Sequence, residues 1–433
     1  MTIFHHLPPA LFDRIAGGGG GPDVIRRLHA VQISKHRLLI GHLLARWPGD
    51  VTGRDEVAEA LERVRLAAPD TFREVIGAPL VGAWTAITTR AVMYNRAVPA
   101  DFMHLGAIAV TACAAAGLDG SAEVPVHDGS AVLPGLGAAD LAHDTMAVAE
   151  SRDGRITVRG AGPRGGTEVA VPADPTAEAP GWRPVRRLRA AAAGRALDVS
   201  LDDLHPYRHG HHVPPALRLP DAEVTAWQRV FRESWTLLAE RLPERADELT
   251  AGLRTLIPLQ QADPRSARSA TIRHAFGVFG LTRPPSAAEF AVTMVHEFQH
   301  SKLSALFDLV PLIDPDDTGR YFAPWRTDPR PLSGLVQGVY AFTGVADTWR
   351  ALRTAHPSAE FRFAEARLQV DRGLTAMERS GALTSEGAKF AAGLRRTVDV
   401  MLAEPVRPEV ARTARNALEQ TRRAWMTRND MAG

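Results

Sequence analysis

Val295-His-Glu-Phe-Gln-His-Ser-Lys302 constrains this chain more than any other stretch. It carries one HExxH, formed by His296, Glu297 and His300. On a helix, residues four apart differ by about 40° around the axis and about 6 Å along it. Two imidazoles at that offset can grip one metal ion from the same face, with the acid between them beside the ion. The flanking residues predict such a helix. Ser286-Ala-Ala-Glu289 has the pattern of a capping box, in which serine and glutamate each satisfy a free backbone N–H. Phe290, Val292, Met294, Val295, Phe298, Leu303, Leu306 and Leu309 follow, without Pro or Gly until Pro311. The expectation is a buried helix of about 24 residues. Buried imidazoles need partners, and a metal ion supplies them.

A chain of 433 residues predicts two or three domains, or one elaborated domain. Lys+Arg 51 against Asp+Glu 49 leaves a net charge of +2, so no global field draws it to nucleic acid or an anionic membrane. The one cysteine, Cys113, excludes a disulfide framework and a four-cysteine zinc site. Met1-Thr-Ile-Phe-His-His lacks the basic and apolar stretches of a signal peptide. The longest apolar run, about 105–118, is too short to span a bilayer. A cytoplasmic protein is expected.

Patterning predicts an α+β chain, mainly α-helical, in three regions. Residues 1–120 read as helices over 24–47, 55–67 and 71–92, with Asp101 opening another. Gly17–Gly21 reads as a flexible hinge, because Pro22-Asp23 stands where a phosphate loop needs Lys-Ser/Thr. Residues 121–200 read as a small antiparallel β module, with Asp153-Gly154 as a hairpin turn. Residues 201–433 are mainly helical and carry the metal site. Within them, 267–280 alternates as a strand just before the HExxH helix, where an extended peptide could add by backbone pairing or an ordinary edge could lie.

The third metal ligand is expected downstream. Gln337, flanked by glycines in an apolar helix, is one choice, and Asp328, between Thr327 and Pro329, is the other. Asp308 lies about 12 Å beyond His300 on a continuous helix, too far to share the ion. Arg326, Arg330 and Lys302 bring positive charge to the motif and suit a bound acid, or else pair with Asp314, Asp316 and Asp317. The loop holding His205, His209, His211 and His212 lacks the regular spacing of a designed second site.

At these residues the chain resembles a known family. The resemblance runs through His296-Glu-Phe-Gln-His-Ser-Lys-Leu-Ser-Ala-Leu-Phe, Tyr321-Phe-Ala-Pro-Trp-Arg-Thr-Asp-Pro-Arg-Pro-Leu and Gly334-Leu-Val-Gln-Gly-Val-Tyr-Ala-Phe. It extends to Leu133-Pro-Gly-Leu-Gly, Leu201-Asp-Asp-Leu-His-Pro-Tyr-Arg, Ser269-Ala-Thr and Ala275-Phe-Gly. The chain is similar to the HExxH-motif proteins encoded with ribosomally made, modified peptides, some of which are fused to a radical SAM enzyme. The resemblance implies Fe(II)- and 2-oxoglutarate-dependent β-hydroxylation of a residue in a precursor peptide. It also implies a fold unlike the jelly roll of most such oxygenases. With one cysteine, this chain lacks the cluster ligands of a fused radical SAM domain.

The residues are consistent with that chemistry. Ferrous oxygenases hold iron on one face and leave positions open for a keto acid and O₂. His296 and His300 would supply two ligands, Gln337 or Asp328 the third. Arg326 or Arg330, aided by Lys302, would hold the acid, with Glu297 orienting a ligand or water. The alternative is a zinc metallopeptidase with Glu297 as general base. A third possibility is a peptide-binding scaffold whose metal is structural.

Overall fold

The computed structural model describes residues 5–142, 144–161, 166–209, 213–261, 263 and 267–429. Six helices open the chain: α1 (Pro9–Ala16), α2 (Gly21–Ala45), α3 (Arg54–Ala67), α4 (Pro69–Ile76), α5 (Pro79–Met93) and α6 (Pro99–Ala115). The single helix expected over 71–92 is two, because Pro79 lacks the N–H that would continue α4.

Nine strands follow: β1 (Gly120–His127), β2 (Ser130–Leu133), β3 (Gly137–Asp140), β4 (Met146–Arg152), β5 (Arg155–Gly160), β6 (Glu168–Ala170), β7 (Trp182–Pro184), β8 (Arg186–Ala192) and β9 (Arg195–Leu201). The first seven form an antiparallel sheet in the order β6-β5-β4-β1-β2-β3-β7. Asp153 and Gly154 join β4 to β5 with φ of 50° and 72°, the left-handed pair a tight hairpin needs.

The last part contains α7 (Asp221–Arg241), α8 (Pro243–Gly252), β10 (Thr255–Pro258), β11 (Ser269–Thr271) and β12 (Val278–Leu281). It ends with α9 (Ala287–Phe307), α10 (Leu332–Ala351), α11 (Ala359–Glu378), α12 (Ser385–Ala403) and α13 (Pro408–Arg428). A second, mixed sheet has the order β11-β12-β10-β9-β8. The strand expected over 267–280 is thus two short ones, β11 and β12, paired antiparallel. The architecture is α+β and mainly helical.

The hydrophobic cores cut across the linear segments. Ile15 of α1 and Val24, Ile25 and Leu28 of α2 share one core with Phe290, Met294 and Phe298 of α9 and Leu335 and Val339 of α10. Ile40 and Leu43, further along α2, belong to a second core with α3–α6. A third lies between α6 and the seven-stranded sheet. The long helix α2 therefore ties the N-terminal helices to the body that carries the HExxH motif.

The glycine run is not a flexible link. Gly18 and Gly21 adopt φ of 84° and 76°, and the loop's carbonyls face buried donors. Gly17 O accepts from Thr397 Oγ1 at 2.9 Å, Gly18 O from Gln299 Nε2 at 2.9 Å, and Gly19 O from Lys302 Nζ at 3.0 Å. Gly21 N donates to Glu248 Oε1 at 3.1 Å. Glycine suits this turn because it reaches left-handed backbone without strain and lets side chains close on its carbonyls. Among the described residues no single helix is long and apolar enough to cross a membrane.

Two buried histidines make the fold acid-sensitive. His36 donates through Nδ1–H to Ile76 O (2.8 Å), and burial lowers its pKa to about 4. His205 accepts from Tyr207 N through Nδ1 at 3.2 Å, and burial, then the Arg208 charge, lower its pKa to about 3. Both rings are neutral in the fold, whereas the unfolded chain protonates near 6.5. Stability is therefore full above about pH 6.5 and falls as pH drops toward 4. The melting temperature measured by calorimetry should decline across that window, and His205→Gln should flatten the decline; a flat profile for the parent protein would contradict it.

Candidate metal centre

Helix α9 begins where its cap predicts. Ser286 Oγ accepts from Glu289 N at 3.2 Å. Its apolar residues face the main core, which turns His296 and His300 toward a cavity of about 1070 Å³. The two rings stand edge to face, with centroids 4.8 Å apart and planes at 88°. His296 is partly exposed, and burial followed by the neighbouring His300 charge lowers its pKa to about 4. It therefore stays neutral at physiological pH, as a metal-binding imidazole must.

Gln337 from α10 approaches His300 but not as a ligand. Its Oε1 lies 2.9 Å from His300 Nδ1, and its Nε2 donates to Ser304 Oγ at 3.2 Å. The amide oxygen accepts the Nδ1 proton, so the Nε2 lone pair of His300 is left for a metal. This outer contact fixes a ring's tautomer and orientation. The expectation that Gln337 completes the ligand set is corrected to this positioning role.

Asp328 is not placed to bind the metal either. Arg326 Nε donates to its Oδ1 at 3.0 Å and Arg330 NH1 to its Oδ2 at 3.1 Å. Partial burial would raise its pKa, but the hydrogen bonds from Arg330 and Arg326 outweigh that and lower it. Asp328 is a tether that spans both arginines, while Arg326 and Arg330 themselves line the cavity. Asp314, Asp316 and Asp317 are not their partners. Arg330 also pairs through its backbone with Tyr321, at 2.8 and 2.9 Å, which holds the loop as a closed hairpin.

Lys302 does not reach the cavity. Two residues past His300, it lies about 200° around the helix, on the opposite face. It is fully buried there, with Nζ 2.8 Å from Glu248 Oε2 and 5.6 Å from the Tyr340 ring centroid. Burial lowers its pKa to about 8, against the Glu248 charge that raises it. The expected role in holding an acid is replaced by a structural one. Asp308, also set aside as a ligand, pairs with Lys35 at 2.7 Å.

Glu297 is buried, and both its oxygens are taken. Ser269 Oγ donates to Oε1 at 2.6 Å, and Thr271 Oγ1 to Oε2 at 2.5 Å and to the Glu297 carbonyl at 3.0 Å. Glu297 Oε1 lies 3.9 Å from His296 Nε2. Ser269 and Thr271 went unassigned in the sequence, although their period-two spacing on a strand puts both hydroxyls on one face. The far wall was legible only in part. Trp325 stacks on Phe342 (4.6 Å, 18°), and Phe342 meets His296 edge-on at 5.3 Å. A Cβ on Gly338 would lie 2.3 Å from the Trp325 ring, so this glycine admits the indole.

The donors suit an ion gripped by two imidazoles on one cavity wall. Among the described residues no group of three His, Cys, Asp or Glu side chains is arranged to hold a metal, so the protein itself presents two nitrogen donors. His205 packs against Tyr207 and His104 instead of forming a second site, and His209 Nδ1 lies 2.9 Å from Pro206 O. His211 and His212 lie outside the described residues. No protein-family model matches the chain, and no curated protein matches it.

His296→Ala and His300→Ala should abolish binding of a divalent metal, and Gln337→Leu should weaken it by about 10- to 100-fold while leaving the fold intact. Isothermal titration with Co(II) reads both; unchanged affinity in Gln337→Leu would remove its orienting role. Lys302→Met should cost about 3 kcal/mol in urea unfolding, because it removes the nearer of the two cations facing buried Glu248 and leaves only Arg245, at 3.4 Å. The folded fraction should bind metal as the parent does.

Proposed function

We propose that this chain is an Fe(II)- and 2-oxoglutarate-dependent oxygenase that β-hydroxylates a residue of a ribosomally synthesised precursor peptide. The observation that carries the proposal is the opening of the His296–His300 pair onto a roomy cavity walled on its far side by Arg326 and Arg330. The resemblance of the motif and its flanking segments to the HExxH peptide-modifying proteins supports it.

His296 and His300 would hold the iron, leaving its other positions to small ligands from the cavity. When bound, Fe(II) with 2-oxoglutarate supplies O₂-dependent hydroxylation, with release of CO₂ and succinate. The chain's own residues do the rest. Gln337 keeps the His300 proton on Nδ1. Arg330, steadied by Asp328, presents a guanidinium to a carboxylate, which it can grip bidentately. Ser333 and Gly334, in the first turn of α10, line the cavity beside it. The unpaired N–H groups and dipole of that helix start add to the attraction for an anion. Trp325, Phe342 and Phe307 provide an apolar surface that keeps water from the reacting region.

The zinc peptidase alternative needs Glu297 to take a proton from metal-bound water and pass it on. Hydroxyls 2.6 and 2.5 Å away each hold one carboxylate oxygen and fix the group in place, which favours an orienting role. In the scaffold alternative the metal would be structural, and such sites are closed by four protein ligands. An open cavity beside two donors weighs against that.

Incubation with Fe(II), 2-oxoglutarate, air and a precursor peptide should yield succinate and a peptide heavier by one oxygen atom in mass spectrometry. Arg330→Ala should raise the 2-oxoglutarate concentration needed by at least tenfold, about the loss of one charge-assisted bond. Peptide cleavage with Zn(II), and no succinate with Fe(II), would instead establish the peptidase.

A further inference from the structure

Strand β11 ends its sheet, with β12 on one side and the cavity on the other. Its outward groups follow from the ladder. Arg268 faces β12: its carbonyl accepts from Thr282 N at 2.9 Å, and its N–H donates to Thr282 Oγ1 at 2.9 Å. In an antiparallel pair, residues alternate between facing the partner and facing away. Ala270, opposite Gly280, therefore faces β12, while Ser269 and Thr271 aim one N–H and one C=O each at the open edge. Their side chains are meanwhile fixed on Glu297. One pair of residues thus locks the strand to the HExxH helix and leaves its backbone available.

The cavity is at or above the size of ordinary small-molecule sites, which run to about 1,000 Å³. It holds more than a five-carbon acid. Its charge is one-sided. Arg273, Arg326 and Arg330 line it, whereas the acid in its lining, Glu297, is buried under two hydroxyls. Arg326 and Arg330 share Asp328. Arg273 is exposed, two residues past Thr271, with no ion-pair partner among the described residues.

We infer that an extended acidic peptide docks as an added strand on the outer edge of β11, with a carboxylate side chain of the peptide held by Arg273. This rests on the proposed peptide-modifying function and deepens it: the added strand would run past His296 and His300 with alternate side chains turned toward them. Backbone pairing supplies affinity with little regard to sequence, and the arginine supplies selection for acidic segments.

The test uses binding alone, without iron or keto acid, so failure of pairing and failure of turnover are read separately. The probe is a fluorescein-labelled peptide, Val-Thr-Val-Asp-Val-Thr-Val, titrated with the full chain by fluorescence polarisation. Three relatives accompany it: one with Lys in place of Asp, and two with N-methyl groups on alternate amides, each covering one of the two sets. The Asp peptide should bind at least tenfold more tightly than the Lys peptide. One N-methylated set should lose about tenfold or more, the other less than about threefold, because a strand presents every second N–H to its neighbour. Arg273→Ala should cut the Asp-over-Lys preference to threefold or less. Equal effects of the two N-methylated sets, an unchanged preference in Arg273→Ala, or no binding of the Asp peptide would overturn the inference.

Discussion

The buried ion pair between Lys302 and Glu248 fastens the back of the HExxH helix. A charge removed from water is tolerated only when paired and hydrogen-bonded, so Lys302 must face α8 and the glycine loop. Arg245 completes the arrangement: it bonds Gly18 O at 2.6 Å and reaches Asp347 at 3.1 Å. Glu248 answers two cations. Burial would raise its pKa, and the Lys302 and Arg245 charges outweigh this and lower it. The apolar face of α9 packs on the core beside this cluster, and His296 and His300 face the cavity.

The opposite wall depends on close approach. Gly344 lets α10 settle on Val295 and Gln299 of α9, where a Cβ would come within 3.0 and 2.8 Å. Gly338 receives the Trp325 ring from the loop before α10, and Gly373 of α11 receives its far edge. The indole then stacks on Phe342, which stands against His296. One side chain in a loop therefore links α10 and α11 to His296 of α9. Side chains larger than glycine at these places would push the loop, and Arg326 and Arg330 with it, away from the histidines.

The third wall is the strand edge. Ser269 and Thr271 hold Glu297 through hydroxyls and do so from a strand whose neighbour is a buried sheet. The acid of the motif is thereby anchored rather than left to sample the cavity. The same contacts tie helix and sheet into one support for the site.

The sequence by itself determined the helix, its cap and the His296–His300 offset, because helical periodicity and capping are local properties. It also determined the Asp153-Gly154 turn, because the residues of a tight hairpin turn are set locally. The tertiary structure decided the partners. Lys302 is only two residues from His300, yet the 100° step per residue carries it to the far face, where Glu248 waits 54 positions earlier in the chain. Gln337 and Asp328 carry suitable ligand atoms, but the first is spent on His300 Nδ1 and the second on two arginines. The glycine run reads as slack in one dimension and is a pinned turn in three, because the donors that grip it come from α8, α9 and α12. Local rules fix which residues can lie on one face; only long-range packing fixes what that face meets.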